Sequence, residues 1–237
     1  MYRPTSFSEL PEVVKNLLII NGLFFLGTVS LNSREIDLTQ IFALHQFQSP
    51  DFMPHQLITH FFMHANFTHL FFNMFALWMF GKILENVWGG KKFLIYYIFT
   101  ALGAAALHLA VSQYQIYSIA SEAPRMLELA KEGMYNPANS TSLRLTQLVT
   151  TPTVGASGAV FGILLAFGML FPNTLLYIYF AIPVKAKYFV MVYGALELYL
   201  GFINNPNDNV AHFAHLGGML FGFLLLKYWQ KERNTFY

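Results

Sequence analysis

Cysteine is missing altogether from the 237 residues, which excludes disulfides, thiolate metal ligands and a cysteine nucleophile. Charge is nearly as scarce. Asp, Glu, Lys and Arg make up 11% of the chain, against about 25% in an average soluble domain. A soluble domain of this length needs polar side chains over its surface, and 14 Lys plus Arg with 12 Asp plus Glu are too few. A net charge of +2 makes no phosphate-binding face, so a nucleic-acid partner is excluded together with a soluble enzyme and a disordered chain. What is present points to lipid as the solvent: 55% hydrophobic residues, 17% aromatic and a mean hydropathy of +0.45.

A helix crossing the hydrocarbon core needs ~20 mostly apolar residues. Six stretches meet this loosely, at about 13–31, 66–86, 92–113, 155–172, 185–203 and 209–228. The runs are too long and continuous for a transmembrane barrel. The expected fold class is therefore all-α: one polytopic membrane domain over residues 1–237, a six-helix bundle. The first stretch lacks a basic start and an A-x-A site, so it reads as a span and not as a cleavable signal. Arg3, Lys15, Lys82, Lys91, Lys92, Lys185, Lys187, Lys227, Lys231 and Arg233 fall at one set of span ends. Only Arg34, Arg125, Lys131 and Arg144 fall at the other. The positive-inside rule then places both termini in the cytoplasm and the loops 32–65, 114–154 and 204–208 outside. Within the long insert, Ala123–Gly133 is amphipathic and reads as a short helix lying on the membrane surface, broken after Pro137 by Asn139, Ser140 and Thr141.

Polar residues inside spans are costly and mark function by default. Here they cluster near the outer ends of three spans. The second begins H-F-F-M-H-A-N-F-T-H-L-F-F-N, with His60, His64, His69 and Asn73. His69 and Asn73, four apart, share a helix face. The fourth opens G-A-S-G-A-V-F-G, with Ser157 between Gly155 and Gly158, and the sixth opens A-H-F-A-H-L-G-G-M-L-F-G, with His212 and His215. Each has a plain structural reading. A serine among glycines is a small packing residue; Gly158 with Gly162, and Gly218 with Gly222, suit close helix contact; a lone histidine is a satisfied interior residue. Histidines at 55–69 are metal-ligand types too, but no H-E-x-x-H or suitably spaced carboxylate accompanies them, so no metal is expected. Taken together the clusters suit a serine hydrolase. Ser157 is the candidate nucleophile and His215 the candidate base. Free N–H groups at the helix start, with His69 and Asn73, are candidate oxyanion donors.

At these residues the chain resembles the rhomboid family of intramembrane serine proteases. The resemblance runs from the first loop to the sixth span. It implies that G-A-S-G at 155–158 carries the nucleophile Ser157, and that A-H-L-G-G-M-L-F-G carries the base His215 with packing glycines Gly218 and Gly222. His64, His69 and Asn73 keep the family's spacing of five and then four, which implies an oxyanion hole of His69, Asn73 and the Ser157 N–H. Glu85 falls where the family has a structural glutamate. There are departures. Many members carry Trp-Arg in the first outer loop where His55 and Gln56 stand here. Phe161 occupies a position that is often tyrosine, and the insert at 114–154 is longer than in minimal bacterial members.

The reading is a Ser–His dyad without an acidic third member and with no cofactor; the resemblance implies cleavage of single-pass transmembrane protein substrates of the lipid bilayer, within or just outside their membrane segment, and with no organelle-targeting presequence visible a plasma or inner membrane is expected. The loop at 204–208 and the fifth span form a candidate substrate gate. Glu197 and Asp208 are the nearby acids, and neither is at a position that compels a triad. Three other functions remain open: an inactive rhomboid-like binding factor, a histidine-based transporter or channel, and a metal-dependent membrane protease.

Overall fold

The computed structural model of the chain describes residues 10–32, 34–178, 181–203 and 210–234. The expected gate loop, with Asn204, Asn205, Pro206, Asn207 and Asp208, lies outside the described residues. Apolar residues crowd into helices because lipid offers no partner for a free backbone N–H or C=O. Helix α1 spans Glu12–Asn32, and two short helices, α2 (Leu38–Phe42) and α3 (Gln56–Thr59), follow in the first loop. The second apolar stretch is α4 (Phe67–Ala76), a π turn at Leu77–Gly81 and α5 (Lys82–Trp88). Then come α6 (Gly90–Glu122), α7 (Pro124–Lys131), α8 (Ser140–Thr150), α9 (Ser157–Leu170), α10 (Ala186–Ile203) and α11 (His212–Asn234). Among the described residues, four units are long and apolar enough to cross a membrane: α1, Phe67–Trp88, α6 and α10. Helix α9, of 14 residues, and α11, of 23, complete the bundle.

Helix α9 is its centre, with ten of its 14 residues buried. Its Gly158 and Gly162 let Ala104 and Thr100 of α6 approach closely, while Gly103 of α6 faces Phe221 of α11. Small residues at these contacts let three helices touch by backbone, which drives association in lipid. The same core takes in Val14 of α1, Leu84 of α5, Phe93, Tyr96 and Tyr97 of α6, and Leu226 of α11.

Three features depart from the sequence reading. Helix α6 continues nine residues past the expected end at 113. Its 33 residues span ~50 Å at 1.5 Å per residue, against ~30 Å of hydrocarbon. The segment read as a short helix on the membrane surface is α7, and it packs on its neighbours through Ala130, with Met126 and Leu127 half-buried. Ile116 of α6, Ala130 of α7, and Leu145 and Val149 of α8 form a small core of their own. The break after Pro137 is the start of that second helix: Asn139 caps α8, accepting from the Ser142 N–H at 3.1 Å. Finally, β1 (Leu175–Ile178) and β2 (Ile182–Lys185) pair antiparallel between the fourth and fifth spans, where only a loop was expected.

The first outer loop is pinned from within. Gln56 is wholly buried. Its Oε1 accepts from the Met53 N–H at 3.1 Å and the His45 N–H at 3.3 Å, and its Nε2 donates to the Asp51 carbonyl at 2.8 Å. His55 Nε2 donates to the Ile41 carbonyl at 2.8 Å. A glutamine amide thus holds the loop.

Candidate active site

The site begins with a backbone constraint. Gly155 has φ +122°, a conformation that side chains disfavour, and its N–H donates to the His60 carbonyl at 3.0 Å. Helix α9 can therefore start abruptly, with Ala156 as cap and Ser157 as its first residue. Its 14 residues reach ~21 Å, well short of a ~30 Å hydrocarbon core. A helix this short starts below the level that a full span would reach.

Helix α11 brings the second group. Gly218 packs against the Gly158 carbonyl with no room for a Cβ, so the two helices meet beside Ser157. Ser157 Oγ–H donates to His215 Nε2 at 2.9 Å. On the other side of the ring, His215 Nδ1–H donates to Glu197 Oε2 at 2.9 Å. An ionised carboxylate only accepts, so the partners assign the proton to Nδ1 and leave the Nε2 lone pair for the serine. Phe161, one turn along α9 from Ser157, stacks on the His215 ring at 4.1 Å between centroids and 6° between planes.

Helix α4 supplies the third side. Asn66 caps it by accepting from the His69 N–H at 2.8 Å. The His69 imidazole lies over the turn before the serine: a Cβ on Gly155 would stand 2.7 Å from its Cε1 and Nε2. The ring of His64 meets that of His69 edge-on at 5.0 Å. Asn73 is buried one turn further along, its amide donating to the His69 carbonyl at 3.1 Å, which leaves a second N–H on that amide.

The structure thus brings together Ser157, His215, His69, Phe161, Gly155, Gly158 and Gly218, with Asn73 and His64 behind His69. Glu85 lies elsewhere. Its carboxylate accepts from the Val13 N–H at 2.9 Å and the Val14 N–H at 2.7 Å, closing the start of α1. Gly222 packs beside the Tyr96 hydroxyl, which donates to the Gly162 carbonyl at 2.9 Å. A cavity of about 510 Å³ opens between Trp88, Lys92 and Trp229, at the end of the second span away from His69, and has no part in this chemistry.

Glu197, an acid whose sequence position did not compel a triad, is found against the base. It is 7% exposed and binds both His215 and His212, the latter through Nδ1 at 2.6 Å. The available signal was an acid in the middle of a span; what α10 faced was not readable. These three residues offer metal-ligand atoms within 4.8 Å of one another. Ligands of a tetrahedral zinc stand ~3.3 Å apart, given Zn–N and Zn–O distances near 2.0–2.1 Å. The 2.6 and 2.9 Å separations are those of N–H···O bonds, so the group as arranged is hydrogen-bonded and does not suit a metal.

The rhomboid domain model matches residues 51–231. The chain is 30% identical over 209 residues to RHOMBOID-like protein 12, mitochondrial, of Arabidopsis thaliana, covering 87% of this chain and 55% of that protein. It is 30% identical over 167 residues to Rhomboid protease AarA of Providencia stuartii, covering 69% and 51%. It is 28% identical over 177 residues to Rhomboid protein 1, mitochondrial, of Saccharomyces cerevisiae, covering 73% and 42%. The chain spans about half the length of these relatives. With the domain match running through the serine, both histidine-bearing helices and every apolar span but the first, the chain belongs to the rhomboid family.

Proposed function

We propose that this multi-pass membrane protein is an intramembrane serine endopeptidase that cleaves single-span membrane proteins in or beside their transmembrane segment. The observation that carries the reading is the 2.9 Å bond from Ser157 Oγ to His215 Nε2 at the start of the short, buried helix α9. As Oγ attacks the scissile carbonyl carbon, its proton passes to Nε2. The Ser157 N–H, His69 and an Asn73 amide N–H are the donors for the oxyanion. When the tetrahedral intermediate collapses, the Nε2 proton goes to the departing amine and an acyl-serine remains. Water reaching the site then gives a proton to Nε2, attacks the acyl carbon and releases the acid, and Oγ recovers its proton.

A peptide bond within a helix is shielded and already hydrogen-bonded, and freeing it in lipid is costly. Substrates with helix-destabilising residues and small side chains at the cut are therefore favoured. The asymmetry of Lys and Arg supports cytoplasmic termini and a site that opens on the outer side.

A fluorophosphonate probe tests nucleophile and base together. Labelling of the wild-type protein, none in Ser157→Ala, and loss of cleavage of a single-span reporter in both Ser157→Ala and His215→Ala are expected. Undiminished cleavage by inserted Ser157→Ala would sink the mechanism.

A further inference from the structure

The serine chemistry above makes no use of Glu197. Helix α10 buries only Ala186, Val190, Glu197 and Gly201, so the carboxylate sits within the narrow strip by which this helix docks. A carboxylate in hydrocarbon is tolerated only when paired, and here one oxygen, Oε2, accepts from the Nδ1–H of both His212 and His215. A bond that merely glued α10 to α11 could use any donor on the facing helix. This one uses the ring whose other nitrogen holds the nucleophile. Serine, imidazole and carboxylate form one chain across three helices, and the Phe161 face blocks rotation of the ring between them.

We propose that Glu197 is a positioning residue that fixes the tautomer and orientation of His215 and steadies the imidazolium formed when Ser157 gives up its proton. The proposal rests on the serine-protease reading above. The proton moves from Oγ to Nε2 and on to the amine; Nδ1 keeps its own proton throughout, and Glu197 stays ionised. Glu197 rides on α10, whereas Ser157 and His215 ride on α9 and α11. The catalytic group is therefore complete only while α10 is seated on α11. His212 is a second tether that holds the carboxylate at that seam.

The test uses the full chain in liposomes, with kcat and KM for a single-span substrate, the fluorophosphonate labelling rate and the thermal midpoint. Glu197→Gln is expected to lower kcat and the labelling rate about tenfold or more at unchanged KM. Glu197→Asp, which keeps the charge at shorter reach, should recover part of both. A Glu197→Gln protein with a lowered thermal midpoint but wild-type kcat and labelling rate per folded molecule overturns the proposal. If Glu197→Gln does not fold, Glu197→Asp decides. An intermediate kcat at unchanged KM is expected, and a wild-type kcat overturns it. Ser157→Ala run in parallel separates the two readings. A dead Ser157→Ala beside a fully active Glu197→Gln removes only the positioning role, while an active Ser157→Ala removes the serine mechanism itself.

Discussion

Gly218 and Gly158 touch so closely that a Cβ on Gly218 would overlap the Gly158 carbonyl. The contact lies three residues from the base and one from the nucleophile, so it sets the distance between them. Gly218→Ala should force α11 outward. Overpacking of this kind costs about 1–3 kcal/mol, read as a lower thermal midpoint, with a larger loss of kcat as the bond from Oγ to Nε2 lengthens. A Gly218→Ala protein unchanged in both would show that the helices do not depend on this contact.

The stacking of Phe161 on His215 gives a second prediction. Phe161→Tyr keeps the parallel ring, so cleavage should stay near the wild-type rate. Phe161→Ala frees the imidazole to rotate, and kcat should fall with little change in KM. Equal activity of the two variants would argue that the stack does not orient the base.

For the oxyanion donors, His69→Ala and Asn73→Ala should each lower kcat, on the order of a hundred- to a thousand-fold where one donor is lost. Fluorophosphonate labelling should persist at a reduced rate, because Ser157 and His215 remain. The His69 effect should be the larger, since the ring lies directly over Gly155 while Asn73 spends one N–H on the His69 carbonyl.

The loop histidines predict a pH dependence. Burial pushes His60 down to about 4, and burial together with the neighbouring His69 pushes His64 down to about 4, each from 6.5. Above pH 6.5 both rings are neutral in the folded and unfolded chains, and their contribution to stability is fully present. As pH falls from 6.5 through 4 the unfolded chain takes up protons first, and stability drops by on the order of 3 kcal/mol per ring. The thermal midpoint should fall over that window. His60→Gln, which keeps an amide donor for the Gln56 carbonyl, should flatten the fall; an identical pH profile would count against the assignment.

Glu85→Gln should weaken the closure of α1. Charge-assisted bonds are worth about 1.5–3 kcal/mol, and two end on this carboxylate. The thermal midpoint should drop while kcat per folded molecule is retained, because Glu85 lies far from Ser157. A matching drop in kcat would show that α1 reaches the site.

Much of this was legible in the sequence. Ser157, His69 and His215 stand out because so little else polar occupies the spans, and the glycine spacings marked where helices meet. What was not legible depended on which helix faces which. Glu197 and His215 are 18 residues apart on separate helices, and no periodicity says that their faces meet. The length of α6 was not legible because the apolar run marks only a span to about 113, whereas the helix continues to Glu122 with α7 and α8 covering its side. The β1–β2 hairpin was missed because each strand has only four residues, too few for alternation to register.

The clasp between Glu85 and the start of α1 also orders assembly. The carboxylate is made 71 and 72 residues after the amides it receives. During synthesis α1 therefore enters the bilayer with its first turn open, and that turn closes only when the second span has been threaded back across. Closing this turn waits for the second span, so it reports that these two spans have found each other.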